Sequence, residues 1–385
     1  MTVLNVPSPP WMTEELSLTA DSAAKFFQRE CAPHYERWEQ QGSVDREIWL
    51  KAGAAGLLGA SVPQAYGGAG GSFAHEAMIT YQANLNGIDA FGLPLHNAIV
   101  IPYVLHYGSE QQKLRWLPKL CSGEYAGAIA MTEPSGGSDL QAVKTTARAD
   151  GNHYKINGSK TFITNGGLAD FIVLVAKTDP AQGAKGISLF GIETAGLDGF
   201  RRDRLLDKIG LKANDTSELF FDDVRVPASA LIGPEAGRGF YQLMDQLPQE
   251  RLLIAIYAMA RIERALAHTI EYVKQRHAFG KAIIEFQNTQ FELAECKTEA
   301  TIAKVFVDHC IERHLNGALD TATASMAKYW LTDLQCKIID RCLQLHGGYG
   351  YMNEFPIARM FRDARVERIY GGSNEIMKVL IARTL

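Results

Sequence analysis

Apolar residues recur at helical spacing over the first third of the chain. They shrink to short runs between glycines in the middle, then return to helical spacing up to the end. From Thr13 to about Leu120 the period is that of amphipathic helices. Ala23, Phe26 and Phe27 open the pattern, Trp38 and Trp49 follow, and 75–84 and 102–120 read as further helices. Tyr107-Gly108-Ser109 predicts a stop and a restart inside the last run, with Ser109 as N-cap. The cluster Gly67-Gly68-Ala69-Gly70-Gly71 follows no strand and lacks the G-x-G-x-x-G spacing, so it reads as a flexible connection and not as a phosphate loop.

Around Ala126 the texture changes. Ile129-Ala130-Met131 is a short apolar strand, and 144–149 and 153–156 flank Asp150-Gly151, a hairpin signal. Asn157-Gly158 predicts another turn before 160–164, and 171–176, 187–192 and 218–221 are further strands. Turn residues at roughly ten-residue intervals suit an antiparallel β-domain. After Gly237, runs of about 238–276, 288–315, 320–346 and 355–383 predict four long helices with short joins. The fold class is therefore α+β: an N-terminal helical domain (1–125), a middle antiparallel β-domain (126–236) and a C-terminal four-helix bundle (237–385).

Composition narrows the function classes. With 385 residues, 46% hydrophobic and 21% charged, the chain has the balance of a globular protein with a large core. Net charge is −4 with both signs mixed, which excludes the basic stripe of a nucleic-acid binder. No apolar run approaches a membrane span. Six scattered cysteines form no CxxC or Cys/His cluster, so neither a disulfide nor a metal is expected. Met1–Met12, with Pro7, Pro9 and Pro10, reads as a short frayed arm without the pattern of a signal or transit peptide. The location expected is the bacterial cytoplasm, with the mitochondrial matrix, in a mature form, as the alternative.

One carboxylate draws attention. Glu250 follows Pro248 at the edge of the helical run Leu252, Ile256, Met259, Ile262 and Leu266. Proline leaves the carbonyl of Met244 without its donor, so Glu250 is expected just past a bend. Taken alone, such a Glu is an ordinary surface residue. The far end of the chain, Ile369-Tyr370-Gly371-Gly372-Ser373-Asn374-Glu375-Ile376, changes that reading.

That segment resembles a signature of the acyl-CoA dehydrogenases. Ala130–Asp139, Phe162-Ile163-Thr164-Asn165-Gly166, Arg276-His277-Ala278-Phe279-Gly280 and Gln344–Gly350 resemble others, in the family's order and over nearly the whole chain. The resemblance implies a homotetrameric FAD enzyme that dehydrogenates an acyl-CoA thioester to the trans-2-enoyl-CoA. A carboxylate removes the α-proton, the β-hydrogen leaves as hydride to the flavin, and an electron-transfer flavoprotein accepts the electrons. It further implies flavin contacts from Ile129, Met131, Thr132, Phe162 and Thr164, with Phe162 standing where many members have Trp. Ser138 is implied at the pyrophosphate or the CoA. Arg276, Phe279 and Gln287 are implied on the adenosine side, Gln344, Gly347 and Gly348 reach the cofactor from a neighbouring subunit, and Ser373, Asn374 and Glu375 close over it.

Many members carry the catalytic Glu directly after the Tyr of the C-terminal motif, where this chain has Gly371. Isovaleryl-CoA and long-chain acyl-CoA dehydrogenases instead place it on the first helix of the bundle, and Glu250 matches that position. The two departures support each other: Gly371 keeps the backbone N–H for the thioester carbonyl and leaves space for Glu250. Glu133 and Glu375 are the next carboxylates to consider. Tyr241 is expected along the acyl channel, Gly371 and Gly372 at the thioester, and Arg251 as an anchor that orients the Gly371 loop. Arg201, Arg202 and Arg204 read as a solvated charge run. The alternatives are a flavin oxidase or monooxygenase on the same scaffold, which would favour Asp as base, and a non-catalytic acyl-CoA-binding protein. Chain length and branching of the substrate are not legible.

Overall fold

The computed structural model describes residues 3–385. Its N-terminal helices are α1 (Glu14–Phe26), α2 (Tyr35–Gln41), α3 (Arg46–Ala54), α4 (Phe73–Leu85), the single turn α5 (Leu93–Leu95), α6 (Ile101–Tyr107) and α7 (Glu110–Ser122). Ser109 caps α7 through a reciprocal pair: its hydroxyl accepts from Gln112 N–H, and the Gln112 side chain accepts from Ser109 N–H at 2.9 Å. The restart at Ser109 is therefore built as its sequence spells it. Residues 1 and 2 of the expected frayed arm lie outside the described residues, and from residue 3 on the arm is tied down. Leu4 is buried against the C-terminal bundle, and Trp11 Nε1 donates to Asp308 O at 3.1 Å. Burying an indole and satisfying its N–H outweighs the prolines' breaking of helix. The Gly67–Gly71 segment is likewise pinned, with Gly70 N–H on Val62 O and Gly71 N–H on Ala60 O.

The middle unit is an eight-stranded sheet: β1 (Gly127–Ala130), β2 (Thr146–Asp150), β3 (His153–Thr164), β4 (Phe171–Lys177), β5 (Ile187–Glu193), β6 (Phe200–Leu205), β7 (Thr216–Pro227) and β8 (Leu231–Ile232). The order is β6-β7-β3-β2-β4-β5-β8, with β1 beside β4. Most neighbours are antiparallel, but β1 runs parallel to β4, as does β2 where Thr146 meets Lys177. The turn expected at Asn157-Gly158 is a bulge: β3 continues through it, with a register shift against β7 between Ile156 and Gly158. A Cβ on Gly158 would lie 2.4 Å from Thr145 Oγ1, so the glycine serves close approach to that threonine and not chain reversal. The arginines 201, 202 and 204 lie on β6, an edge strand that the sequence reading missed because charge interrupts its alternation.

The C-terminal unit holds α8 (Gly239–Gln275), the small hairpin β9 (His277–Ala278) and β10 (Lys281–Ala282), α9 (Gln287–Leu315), α10 (Thr321–His346), α11 (Pro356–Ala364) and α12 (Asn374–Ala382). The helix α8 runs through Pro248 without interruption. The fourth predicted run breaks in two, because Gly371 (φ +65°) and Gly372 (φ +87°) take left-handed backbone that ends helix. Buried charges tie this unit to the N-terminal one: Asp89 accepts from Arg261 Nε at 3.0 Å and from Arg264 at 2.6 Å, while Arg261 also binds Glu367. Among the described residues, no helix is long and apolar enough to cross a membrane.

Candidate active site

The site grows from the corner where β1 leaves the sheet. His96 fixes the start of β1: its Nδ1 accepts from Gly127 N–H at 2.9 Å, which leaves Nε2 to donate to Leu120 O at 3.0 Å. Asn165, at positive φ just after β3, donates to Gly127 O at 2.9 Å and to Gly92 O at 3.2 Å. Beyond β1, Thr161 N–H donates to Thr132 O, and Lys160 Nζ donates to Met131 O. Glu133 turns inward and accepts from Lys160 Nζ at 2.8 Å and from Thr145, so this carboxylate is fully occupied. Thr132 and Thr164 are half-buried, Ile129 is buried, and Ser138 lies exposed on the loop beyond. Phe162 stands 67% exposed at φ +59°, an apolar ring presented to the outside from strained backbone.

Behind this corner lies Glu250. Tyr103, Ile129 and Leu243 share one apolar cluster, with Met131 and Phe240 packed on it. Leu243 is two turns before Glu250 on α8. The Tyr103 hydroxyl donates to Glu250 Oε1 at 2.8 Å. Tyr103 is wholly buried and Glu250 is 3% exposed. Burial pushes the Glu250 carboxyl up, the Tyr103 hydrogen bond and the Arg251 charge pull it back, and it settles at about 7. Arg251 is itself 5% exposed, and its Nε has no hydrogen-bond partner among the described residues.

The Gly371–Gly372 loop closes over the next turn of α8, where a Cβ on Gly371 would lie 2.3 Å from Ile254 Cδ1. The sequence reading gave Arg251 the task of orienting this loop. Among the described residues no hydrogen bond joins the two, and Lys328 of α10 does the work: its Nζ donates to Gly372 O at 2.7 Å and to Asn374 Oδ1 at 2.8 Å. The Asn374 amide in turn donates to Tyr329 O, Thr332 Oγ1 and Asp333 Oδ1, so its side chain is consumed inside the protein. Ser373 caps α12 by accepting from Ile376 N–H, and Glu375 is exposed in the first turn of that helix. Tyr241 is largely exposed in the first turns of α8, with the Arg238 guanidinium 5.4 Å from its ring centroid. Tyr103 and Lys328 were not among the candidates. A tyrosine in an apolar helix reads as core, whereas a lysine inside Met326–Trp330 was a visible signal.

The other predicted residues gather elsewhere. Arg276, Phe279 and Gln287 stand exposed at and beyond the end of α8, and Gln344, Gly347 and Gly348 at the end of α10. These groups adjoin: Tyr272 OH donates to His346 O at 3.2 Å, and the Arg276 guanidinium lies 5.5 Å from the Tyr349 ring centroid. Phe279, at φ +51° on the tip of the β9–β10 hairpin, is 96% exposed. From Glu250 to Arg276 the helix rises about 39 Å at about 1.5 Å per residue. Within one chain the two groups of residues therefore lie far apart along α8.

Comparison with known proteins gives matches along the chain. Sequence models described as acyl-CoA dehydrogenase N-terminal, middle and C-terminal domains match residues 13–124, 128–224 and 237–385. The long-chain specific acyl-CoA dehydrogenase, mitochondrial, of Sus scrofa is 50% identical over 375 residues, covering 97% of this chain and 87% of that protein. A crystal structure of acyl-CoA dehydrogenase from Geobacillus kaustophilus superposes with a TM-score of 0.96 at 47% identity, covering 98% of this chain and 99% of that one. A glutaryl-CoA dehydrogenase from Mycobacterium smegmatis in complex with FADH2 superposes with a TM-score of 0.89 at 28% identity, covering 97% of this chain and 95% of that one.

Proposed function

The chain belongs to the acyl-CoA dehydrogenase family, and from that premise we propose that Glu250 is the base that removes the α-proton of a fatty acyl-CoA thioester. The enzyme is an oxidoreductase with acyl-CoA dehydrogenase activity. The substrate proposed is a medium- or long-chain or branched acyl-CoA, and the product the trans-2-enoyl-CoA. The observation that carries the reading is the state of Glu250: a carboxyl held by one tyrosine and raised by burial to about 7. A base poised near working pH combines a large ionised fraction with enough proton affinity to take a weakly acidic α-hydrogen.

The residues fit a flavin. Phe162 offers an exposed apolar ring beside the half-buried hydroxyls of Thr132 and Thr164, a combination suited to a flat heteroaromatic with polar edges. The family uses FAD, and FAD is the cofactor proposed here. Bound FAD supplies the acceptor for the hydrogen that leaves the β-carbon. The chain's own residues do the rest. Glu250 holds the α-proton once it is removed. The backbone N–H at Gly371 faces the thioester oxygen as negative charge develops there. Lys328 keeps that turn in place through Gly372 O. Burial of Glu250, Tyr103 and Leu243 keeps water from the proton's path.

The separation of about 39 Å between Glu250 and Arg276 supports an oligomer in which one chain lends Arg276, Phe279, Gln287 and Gln344–Gly348 to its neighbour's cofactor, and a homotetramer is proposed. An electron-transfer flavoprotein is the proposed acceptor. The proposed location is the bacterial cytoplasm, with the mitochondrial matrix as alternative; the Sus scrofa relative is named as mitochondrial. Anaerobic addition of palmitoyl-CoA to the FAD-loaded protein should bleach the flavin band, and the reduced protein should reoxidise slowly in air. An unchanged spectrum with thioester bound would overturn the reading, and fast reoxidation would turn it towards an oxidase.

A further inference from the structure

The contact between Tyr103 and Glu250 crosses a domain boundary: the hydroxyl comes from α6 of the N-terminal unit and the carboxylate from α8 of the C-terminal one. We propose that Tyr103 is the positioning residue for Glu250, fixing one carboxylate oxygen and favouring the ionised group. The inference rests on the reading of Glu250 as base for its catalytic consequence, but the pairing itself is tested without catalysis.

Three observations support it. First, Tyr103 has little freedom. Its ring is wholly buried, tilted against Tyr107 at 6.2 Å between centroids. The backbone before it is anchored by His96 to Leu120 O and Gly127 N–H. A donor held that firmly orients its acceptor. Second, the carboxylate has one hydrogen bond among the described residues, so its direction and its proton affinity both depend on this hydroxyl. Third, burial raises the Tyr103 phenol well above its ordinary value, so it remains a donor over the whole working range. A hydrogen bond given to the charged form of an acid opposes the effect of burial.

The groups facing the carboxylate are few. From α6 come Tyr103 and Tyr107, and Tyr107 is engaged with Asp245 at 2.5 Å and with Gln246. From α8 itself come Arg251 and Tyr257, and from α10 Lys328 lies beyond Arg251 under the Gly372 carbonyl. Among these, Tyr103 alone bonds the carboxylate. Its loss leaves Glu250 to burial and to the Arg251 charge. The carboxyl then keeps its proton to higher pH and loses the restraint on its direction.

The test uses four FAD-loaded proteins: wild type, Tyr103→Phe, Glu250→Gln and the double variant. Thermal unfolding is followed from about pH 5 to about pH 9. The folded-state affinity of Glu250 for its proton rises in Tyr103→Phe. The stability deficit of that variant against wild type should therefore grow as pH rises through neutrality and beyond. In the Glu250→Gln background the same replacement should cost the same at every pH. A deficit that is flat with pH in both backgrounds would overturn the proposal. Anaerobic reduction by palmitoyl-CoA gives the catalytic arm. The rising limb of the reduction rate against pH should move up by about one pH unit or more, the size expected for one hydrogen bond to a charged group. Should Tyr103→Phe not fold, 3-fluorotyrosine at the same position, a stronger donor, should move the limb the other way. An unmoved limb in both overturns the proposal. A pH-dependent pairing with Glu250→Gln still active would leave the pairing standing and defeat Glu250 as base.

Discussion

Gly371 lies against Ile254, one helical turn past Glu250: a Cβ on the glycine would come 2.3 Å from Ile254 Cδ1, and the backbone there is left-handed at φ +65°. A side chain at position 371 is therefore opposed here twice, by the packing of Ile254 and by the left-handed backbone.

Moving the base consequently needs a third change. Left-handed backbone costs an L residue roughly 1–2 kcal/mol, and the overlap with Ile254 adds to it. Glu250→Ala with Gly371→Glu should be nearly inactive. Adding Ile254→Val removes the Cδ1 atom at a cost of about 0.5–1.5 kcal/mol and should restore part of the flavin reduction, with altered preference among acyl lengths. Equal activity with and without the Val change would show that the overlap is of no consequence.

The pH dependence has a defined sign. Glu250 takes a proton more readily folded than unfolded, its carboxyl rising from the ordinary 4.5 to about 7. Its contribution to stability is therefore complete below about pH 4.5 and is lost as pH rises to about 7. Glu250→Gln carries no such loss and should gain on wild type in melting temperature between about pH 5 and about pH 8. Flavin reduction needs the ionised form and should rise over the same interval. Melting curves whose difference does not change with pH would contradict this.

Lys328 is the support of the Gly371–Gly372 turn. Replacing it with Met leaves Gly372 O and Asn374 Oδ1 without their shared donor. Gly372 O then has lost its donor and Asn374 Oδ1 keeps only the Thr332 hydroxyl at 3.3 Å; an acceptor left unpaired costs about 1–3 kcal/mol, so the melting temperature should fall by several degrees and kcat should fall more than the affinity for acyl-CoA. Unchanged values of both would remove Lys328 from the site.

The sequence and the structure part company at places with identifiable physics. The Ser109 restart, the Asp150-Gly151 hairpin and the burial of the α8 face follow from local chemistry that is written in the chain. Asn157-Gly158 carries the same turn signal as Asp150-Gly151, yet pairing of Asn157 with β2 and of the flanking residues with β7 carries β3 on through a bulge. The arm at Leu4 and Trp11 looked free because its partners, such as Asp308, are about three hundred residues away in the sequence. Glu250 was legible through its place in a motif. Tyr103 was not, because only the docking of α6 on α8 turns a core tyrosine into the partner of a carboxylate. Arg251 was given a task that falls to Lys328, since two cations near one loop are indistinguishable until the donor distances are known.

A mixing experiment tests the shared cofactor site. Glu250→Gln damages the base end, and Arg276→Glu with Gln344→Ala damages the far end of α8. If each flavin uses Glu250 of one chain and Arg276 of another, co-expression of the two variants should yield hybrids with intact sites. Those hybrids should be active where neither parent is. No recovery in verified hybrids would mean that each chain builds its cofactor site alone.

Glu250→Gln in the FAD-loaded enzyme, followed by anaerobic stopped-flow reduction with palmitoyl-CoA, tests the central claim most directly. The change keeps size and polarity and removes the basic charge. Cofactor content and thioester binding should survive, while the rate of flavin reduction should fall by at least roughly 10²–10⁴-fold. Reduction at close to the wild-type rate would contradict the assignment. Glu133 is bound to Lys160 and Thr145, and Glu375 is exposed on α12, so neither would be ready to take the place of Glu250.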